Sequence, residues 1–348
     1  MEEILEQRTN FIDFIKGIAI FLMLYGHSLQ YGSGADFLQS GQYWENNVMK
    51  AIYSFHMPLF IIISGYLFWF SVQRHGMLNS VKKRITTLLP ICVTWAILLW
   101  GASAIYKHHY NVKALIRLVF TDFWFLSSVL VCVIVVTLID SIVSRKLKVI
   151  SCVVVAICFF ITPDFFWMNA HKFMIPYFTC GYACAKYNLL DKLANIRNTA
   201  GITCLCMWGG LLLLYNKNTY IYTTGITLKG KDDIYQQLMI DGYRYLIGFV
   251  GVVAVIYLSK ILLNKFYSYD NKALSVILEK MEYIGRNSIE FYILSTYMFV
   301  YLVPRLTTNF ELNYFIILLE TIIIIVVCAL IGKLLKRLGI VGKLLIGK

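Results

Sequence analysis

Apolar residues come in long runs along the whole chain, and short polar segments separate these runs. A helix needs roughly 20 apolar residues to cross the hydrocarbon core of a bilayer, which is about 30 Å thick. The cores of the runs lie at residues 11–31, 48–71, 85–105, 123–142, 149–166, 173–187, 199–215, 243–263, 284–303 and 314–332. The sixth run is short for a full crossing. The pattern predicts an all-α polytopic membrane protein of about ten transmembrane helices.

Composition agrees with this prediction. Hydrophobic residues make up 59% of the chain and charged residues only 15%, and the mean hydropathy of +0.68 is far above that of a soluble domain. No segment between the runs is long enough for a separate soluble domain. We therefore expect residues 1–348 to form a single membrane domain.

The distribution of basic residues predicts the orientation in the membrane. Residues 32–47 contain no Lys or Arg. Most basic residues lie instead at 73–84, 144–148, 191–197, 260–280 and from 333 to the end. Because cytoplasmic loops collect Lys and Arg, both termini are predicted to be cytoplasmic. The net charge of +13 then reflects membrane insertion rather than nucleic-acid binding.

Two other classes of feature are not expected. The nine cysteines lie in apolar runs without the spacing of a zinc site, so no metal centre is predicted. The first run carries Asp13 and Lys16, and no small-residue cleavage pattern follows it. We therefore expect it to remain as a membrane helix rather than to be removed as a signal peptide.

The first run, FIDFIKGIAIFLMLYGHSLQ, holds the most ionisable groups inside the predicted membrane. Lys16 and His27 are eleven residues apart, which places them on one helix face about 16 Å apart along the axis. Asp13 lies three residues before Lys16 on the same face. Ionisable side chains within a membrane are functional candidates. The alternatives are a Lys16 that pairs with Asp13 and reaches the interface, and a His27 that is purely structural.

The second run, FHMPLFIIISGYLF, contains His56, Pro58 and the pair Ser64 and Gly65. This run crosses in the opposite direction, so His56 is expected about 12 Å below the outer surface, at a depth similar to that of His27. We predict that the two histidines contribute to one site. Pro58 can open the helix locally, and Ser64 with Gly65 can allow close approach of a helix or a ligand. The alternatives are a plain kink and a packing notch.

Other polar residues are candidates on the predicted outer side. Asp241 and Arg244 are three residues apart and form either a structural pair or a binding site for an acceptor. Trp124 fits an interfacial aromatic belt or a platform for a sugar. Residues 216–240 are the longest predicted outer segment, and their tyrosines have the same two interpretations.

On the inner side, Glu290 and Asn287 are expected to approach Lys16, which would neutralise a buried charge. The basic residues around the second cytoplasmic segment are candidates for binding phosphate groups, with ordinary positive-inside bias as the alternative. They are Arg74, Lys82, Lys83 and Arg84.

Four motifs give the chain a resemblance to a known family. FIDFIKGIAIFLMLYGHS, FHMPLFIIISGYLF, VKKRITTLLP and GRNSIEFYIL, in this order and spacing, resemble the acyltransferase-3 group of integral membrane acyltransferases, which includes sugar O-acetyltransferases. The resemblance covers nearly the whole chain and fits the compact form without an appended hydrolase-like domain. One departure is Ser295, where many members have a histidine. Another is Glu290, where an apolar residue is expected.

The resemblance implies a function and a location. An enzyme of this type moves an acetyl or other acyl group from cytosolic acetyl-CoA to a hydroxyl of an extracytoplasmic sugar, polysaccharide or lipid-linked glycan. It is a multi-pass protein of the bacterial inner membrane and has no tightly bound cofactor, since acetyl-CoA is a co-substrate. Its partners are acetyl-CoA, the glycan acceptor and the lipid bilayer, with no nucleic acid.

The same resemblance and the physical layout assign roles. The catalytic candidates are His27 as base or acyl carrier, with His56 and Ser64 as donors to the developing oxyanion. The candidates for binding acetyl-CoA are Lys16, Arg74, Lys82, Lys83 and Arg84. The candidates for binding the acceptor are Asp13, Trp124, Asp241, Arg244 and Glu290.

Two other functions remain open from the sequence. Intramembrane charges and a kinked helix also mark the translocation path of a transporter or flippase for a glycan or small anion. The lack of a clear inverted repeat argues against that reading. A catalytically idle partner in the assembly of envelope glycans is the third possibility, because Ser295 replaces the usual histidine.

Overall fold

The computed structural model describes residues 2–107, 111–142, 145–165, 167–189, 198–228, 230–268 and 272–347. These parts of the chain are helical and contain no β-strand. The helices before residue 190 are α1 (Glu2–Gly32), α2 (Ala35–Gln39), α3 (Gln42–Glu45), α4 (Asn47–His75), α5 (Met77–Lys107), α6 (Val112–Thr121), α7 (Trp124–Ser141), α8 (Arg145–Ile161) and α9 (Met168–Lys186). The later helices are α10 (Asn198–Leu212), α11 (Ile221–Thr224), α12 (Ile234–Ser268), α13 (Lys272–Arg286), α14 (Ser288–Tyr297), α15 (Val303–Leu306), α16 (Tyr314–Lys336) and α17 (Ile340–Ile346). A 3₁₀ turn spans Lys217–Thr219 and a π-helical turn spans Met298–Leu302.

Six helices in the described ranges are long and apolar enough to cross a membrane. They comprise Asn10–Gly32, Asn47–His75, Met77–Ala102, Trp124–Ser141, Ile234–Ser268 and Tyr314–Lys336. The predicted class, an all-α polytopic membrane protein, is therefore confirmed. The total of about ten spans and the cytoplasmic position of both termini stay predictions.

The predicted ninth span is not one continuous helix. Helix α13 already begins at Lys272 and ends at Arg286, and Asn287 then leaves helical geometry with φ −109° and ψ 23°. Its side-chain amide donates to the carbonyl oxygen of Tyr283 at 2.8 Å. Asparagine side chains often compete with backbone N–H groups for such carbonyl oxygens, which disfavours a continuous helix. The predicted apolar run is thus built from α14, the π-helical turn and α15.

The predicted basic loop at residues 73–84 is also wrong. Helix α4 continues to His75 and α5 starts at Met77, so only Gly76 lies between them. Gly76 has a φ of 78°, a left-handed conformation that glycine adopts without steric cost. Lys82 and Lys83 are therefore exposed residues of the first turns of α5 rather than of a loop.

The chain forms two compact units. The first unit contains Met1–Phe60, Leu190–Lys217 and Tyr245–Arg337. The second contains Ile61–Leu189, Asn218–Arg244 and Leu338–Lys348. Helices α4 and α12 each contribute residues to both units. In the first unit α1 packs against α13, α14 and α16, and in the second α7 packs against α5 and α9.

Gly65 serves the packing of α4 against α9 within the second unit. A Cβ atom on Gly65 would lie 2.1 Å from the carbonyl oxygen of Phe178, and one on Gly181 would lie 1.9 Å from the carbonyl oxygen of Ile62. The two backbones are thus closer than any side chain between them would allow. The packing-notch interpretation of Gly65 is confirmed.

We expect Gly65→Ala to destabilise the protein by about 1–3 kcal/mol, because the added methyl group must push α4 away from α9. Gly101→Ala is the matched control, since no atom lies within 4 Å of a Cβ at that position. The control should be neutral or stabilising, as Ala favours helix over Gly. Thermal unfolding of both purified variants in detergent measures the difference. Equal melting temperatures for the two variants would contradict the close crossing.

Candidate active site

Helix α1 carries an ion pair on the face that was predicted to hold Asp13, Lys16 and His27. Lys16 Nζ lies 3.1 Å from Asp13 Oδ1, one helical turn away. Asp13 is buried and Lys16 is half-buried. The pairing offsets the cost of placing both charges at this depth. The predicted alternative, in which Lys16 pairs with Asp13, is therefore observed.

The backbone beside this ion pair is fixed by a close helix crossing in the first unit. A Cβ atom on Gly17 would lie 2.0 Å from the carbonyl oxygen of Met281, and one on Gly285 would lie 1.8 Å from the carbonyl oxygen of Asp13. Such small-residue contacts let helices α1 and α13 approach backbone to backbone. The backbone position of Lys16 is therefore fixed by contacts between the two backbones, which a change of side-chain rotamer cannot alter.

Helix α13 adds two more charges near the ion pair. Arg286 Nη1 lies 3.4 Å from Glu282 Oε2, and the Arg286 side chain is about half exposed. Burial raises the pKa of Glu282, and the neighbouring Asp13 and Glu279 carboxylates raise it further, whereas Arg286 lowers it. Sequence reasoning quoted the GRNS motif without giving Arg286 a role. A basic residue directly before the helix break at Asn287 was the available signal.

His27 lies in the second half of α1 among aromatic rings of the first unit. Its ring centroid is 6.0 Å from that of Tyr31 and 5.4 Å from that of Phe299. The Gln30 side chain lies near the imidazole. The Nδ1 atom is buried and has no hydrogen-bond partner among the described residues. A buried polar nitrogen without a partner is unusual and marks a place where a ligand group can bind.

His56 lies near His27 in the same unit. Helices α1 and α4 meet where Gly26 faces Ile52 and Tyr53, at 3.4 and 3.5 Å from the Cβ position of Gly26. The two imidazoles are close enough to interact electrostatically. The structure thus brings together the two histidines that the sequence predicted to share a site.

The hydrogen bonding of His56 selects one tautomer. Its Nδ1 atom lies 2.8 Å from the carbonyl oxygen of Ile52. A carbonyl oxygen only accepts hydrogen bonds, so Nδ1 carries the proton. In the neutral imidazole Nε2 then holds the lone pair and can accept a proton. The Tyr53 ring, 4.9 Å away between centroids, packs edge-on against the imidazole.

Glu320 is an ionisable residue of this region that sequence reasoning missed. It lies in α16 beside Ser28, the residue that follows His27. The carboxylate occupies the space left by Gly32, because a Cβ there would be 2.2 Å from Oε2. A single glutamate inside the last apolar run was the signal, since carboxylates within a membrane are rarely accidental.

The predicted contact between Glu290 and Lys16 is wrong. Glu290 is 1% exposed and its Oε2 lies 2.6 Å from Lys336 Nζ, which also donates to Asn287 Oδ1 at 3.0 Å. A Cβ on Gly332 would lie 1.7 Å from Glu290 Oε1, so α16 is shaped to receive this carboxylate. Lys336 lies one helical turn after Gly332, and it pairs with Glu290 in place of Lys16. Glu290 is therefore a residue that joins α14 to α16.

The remaining inner candidates belong to the second unit. Ser64 is half-buried in α4, next to the Gly65 crossing. Arg74, Lys82 and Lys83 are exposed, and Arg84 is half-buried near the start of α5. Their exposure fits either a phosphate site or positive-inside bias.

Asp241 and Arg244 hold a loop of the second unit, which was predicted to lie on the outer side. Both are 3% exposed, and Arg244 Nη1 lies 2.5 Å from Asp241 Oδ1. Arg244 also donates to backbone carbonyl oxygens of Thr219 at 2.7 Å, Gly225 at 2.6 Å and Asn218 at 2.9 Å. All of these acceptors belong to one loop. The geometry favours the structural interpretation of the pair over direct contact with an acceptor.

Comparison with known proteins identifies the family. Residues 9–333 match the family model of the acyltransferase-3 group, which is described as an acyltransferase domain. The chain belongs to the acyltransferase-3 family. The predicted family is confirmed, and the description of the matching domain agrees with the predicted enzyme class, an acyltransferase.

Two relatives are similar to part of the chain. The nodulation protein NolL of Mesorhizobium japonicum is 27% identical over 231 residues, which cover 60% of this chain and 59% of the relative. The nodulation protein NolL of Sinorhizobium fredii is 29% identical over 231 residues, 60% of each chain. The chain thus spans about three fifths of the length of these relatives. No solved structure matches the chain.

Ser295 marks where this member of the acyltransferase-3 family departs from the expected motif. The residue is 1% exposed in α14, and its hydroxyl donates to the carbonyl oxygen of Tyr292 at 3.2 Å. A serine bonded within its own helix is a structural feature. The imidazoles of the described site therefore come from α1 and α4 rather than from α14.

Proposed function

We propose that the chain is a membrane O-acyltransferase of the bacterial inner membrane that moves an acetyl group from cytosolic acetyl-CoA to a hydroxyl of an extracytoplasmic sugar, polysaccharide or lipid-linked glycan. The observation that carries this proposal is the pair His27 and His56 at the contact of α1 and α4. In a member of the acyltransferase-3 family, two neighbouring imidazoles inside a helical membrane unit supply the base that hydroxyl acylation needs.

In direct transfer, these groups account for every bond and proton that changes. The acceptor hydroxyl gives its proton to His27 while its oxygen attacks the thioester carbon. The C–O bond forms, the C–S bond breaks, and the imidazolium returns the proton to the sulfur of CoA. His56, whose Nδ1 is held by Ile52, orients or assists His27. The other route is an acyl-imidazole on His27, which the acceptor then attacks.

The spacing along α1 suits a long donor. His27 lies about 16 Å above Lys16 along the helix axis. A thioester at the end of an extended pantetheine arm can then meet His27 while the nucleotide phosphates stay near the inner face. Lys16 can bind a phosphate and keep Asp13 at the same time, because an ammonium group has three donors.

A vesicle experiment tests this function against a transporter. The purified full chain is reconstituted into liposomes and supplied with radiolabelled acetyl-CoA and with glycans extracted from bacterial envelopes. We expect release of free CoA thiol and transfer of label to glycan, both absent from protein-free vesicles. Movement of glycan across the membrane without release of CoA would refute the enzyme and support a flippase.

A further inference from the structure

A cavity of about 560 Å³ lies in the second unit, at the end that the charge distribution predicts to be extracytoplasmic. It opens between α6, the segment before α9, and the short helix α11. The mechanism above does not use it. The lining side chains that matter here are Arg117, Asp164, Phe165, Trp167, Asn169 and Tyr222.

Exposed aromatic rings form one wall of the cavity. Tyr222 is 42% exposed and Trp167 is 38% exposed, and their ring centroids lie 5.5 Å apart. Trp124 supports Tyr222 from a centroid distance of 5.9 Å. Exposed rings that are held in place by other rings are typical of rigid binding surfaces. Trp124, predicted as a belt residue or a sugar platform, thus acts on the cavity through Tyr222.

The backbone at Trp167 is strained. Its φ of 60° and ψ of 30° lie in the left-handed region, where a bulky residue is an outlier. Such conformations persist only where the surrounding structure imposes them, and they concentrate at ligand sites. Asp164 Oδ1 accepts from the backbone N–H of Asn169 at 2.9 Å and so fixes the turn around Trp167.

The lining also contains polar side chains. Asn169 Oδ1 accepts from the backbone N–H of Ile226 at 3.2 Å and from Thr227 Oγ1 at 2.9 Å, which orients its amide. Its Nδ2 atom lies next to Gly225, where a Cβ would come within 2.5 Å and φ is 65°. Arg117 on α6 adds a guanidinium that is exposed to the cavity. The lining of the cavity thus includes a carboxylate, an amide and a guanidinium as well as aromatic rings.

We propose that this cavity binds a sugar unit of one or two rings. A sugar ring presents C–H groups on its faces, which pack on aromatic rings, and hydroxyl groups on its edge, which need both donors and acceptors. The side chains of Asp164, Asn169 and Arg117 supply both. A lipid chain would leave these polar groups unpaired, and the carboxylate of Asp164 disfavours a phosphate. The volume is that of an ordinary small-ligand pocket.

The role of this sugar site as the acceptor site rests on the proposed function, whereas sugar binding itself does not. The probes are methyl glycosides of a hexose, an N-acetylhexosamine, a 6-deoxyhexose and a hexuronic acid. Binding to the purified full chain in detergent is measured by saturation-transfer NMR and by quenching of tryptophan fluorescence. We expect saturable binding of at least one probe.

The test variant is Tyr222→Ala, which should weaken that binding about tenfold because the main exposed ring is lost. Tyr222→Phe keeps the ring and should bind as wild type. Tyr235→Ala is the matched control, since Tyr235 is 73% exposed in the same outer segment but does not line the cavity. Its affinity should be unchanged. Circular dichroism of each variant confirms that the helices remain folded.

Two results would overturn the sugar site: no saturable binding of any probe to wild type, or equal weakening in Tyr222→Ala and Tyr235→Ala. The outcome separates this site from the proposed function. Binding as expected, without any acetyl transfer in the vesicle experiment, would leave the sugar site standing and refute the enzyme. Loss of acetyl transfer to glycan in Tyr222→Ala, with an unchanged melting temperature and with full transfer by Tyr235→Ala, supports the cavity as the acceptor site.

Discussion

Replacing His27 with alanine is expected to lower acetyl transfer by about 10²–10⁴-fold, the usual contribution of a positioned acid or base. A sugar hydroxyl is a poor nucleophile at neutral pH. Without the base, only water or an unpositioned group is left to accept the proton of the hydroxyl. The fold should survive. His27 is half-buried, and its Nδ1 makes no hydrogen bond to the described residues that the substitution would break.

The measurement is release of CoA thiol and transfer of label to glycan by the purified variant in liposomes. His75→Ala is the matched control, because His75 is the exposed last residue of α4 and belongs to no proposed site. It should retain wild-type activity. A size-exclusion profile of both variants in detergent shows whether each is folded.

Equal turnover by His27→Ala and wild type would exclude His27 as the base. The two proposed routes also differ in a rapid-quench experiment on wild type. An acyl-imidazole gives a burst of CoA release that is stoichiometric with enzyme before glycan is added, whereas direct transfer requires glycan for the first turnover.

The periodicity of the sequence was sufficient to predict an all-helical membrane protein, and helix geometry was sufficient to predict the approach of two histidines. A helix places residues eleven apart on the same face whatever surrounds it, so the stripe of Asp13, Lys16 and His27 followed from local geometry. The proximity of His27 and His56 followed from helix direction and depth. Both predictions used distances along single helices, which the chain itself determines.

Contacts between distant parts of the chain could not be predicted in this way. Glu290 pairs with Lys336, 46 positions later, because Gly332 opens a space in α16. Nothing local distinguishes Lys336 from the other lysines near the end of the chain. The ninth run likewise reads as one helix by hydropathy, because the break at Asn287 depends on the backbone geometry of that residue.

Turn geometry was the other source of error. The segment at residues 73–84 has the composition of a basic loop, yet only Gly76 lies between α4 and α5. One glycine with a positive φ is enough to end a helix. The cavity of the second unit could not be predicted from the sequence for a similar reason. It forms where α6, the turn at Trp167 and α11 come together in space.

Replacing Arg244 with methionine is expected to destabilise the protein by about 3–5 kcal/mol, the cost of breaking a buried charge pair on one side. The substitution leaves Asp241 buried without the guanidinium that pairs with it, and the carbonyl oxygens of Thr219 and Asn218 each lose one donor. Arg244→Lys should not restore stability, because one ammonium group cannot reproduce a planar fork that reaches several carbonyl groups.

Thermal unfolding in detergent and limited proteolysis of residues 217–227 measure this effect. Arg305→Met is the matched control, since Arg305 is exposed and donates only to Tyr301 in its own helical turn among the described contacts. It should unfold as wild type. If Arg244 instead served acceptor binding, Arg244→Met would weaken binding of the probe sugars while the melting temperature stayed unchanged. A lowered melting temperature together with faster cleavage of the loop would instead show that Arg244 has a structural role. Its effect on sugar binding would then be indirect, because the loop that Arg244 holds carries Tyr222, which lines the cavity.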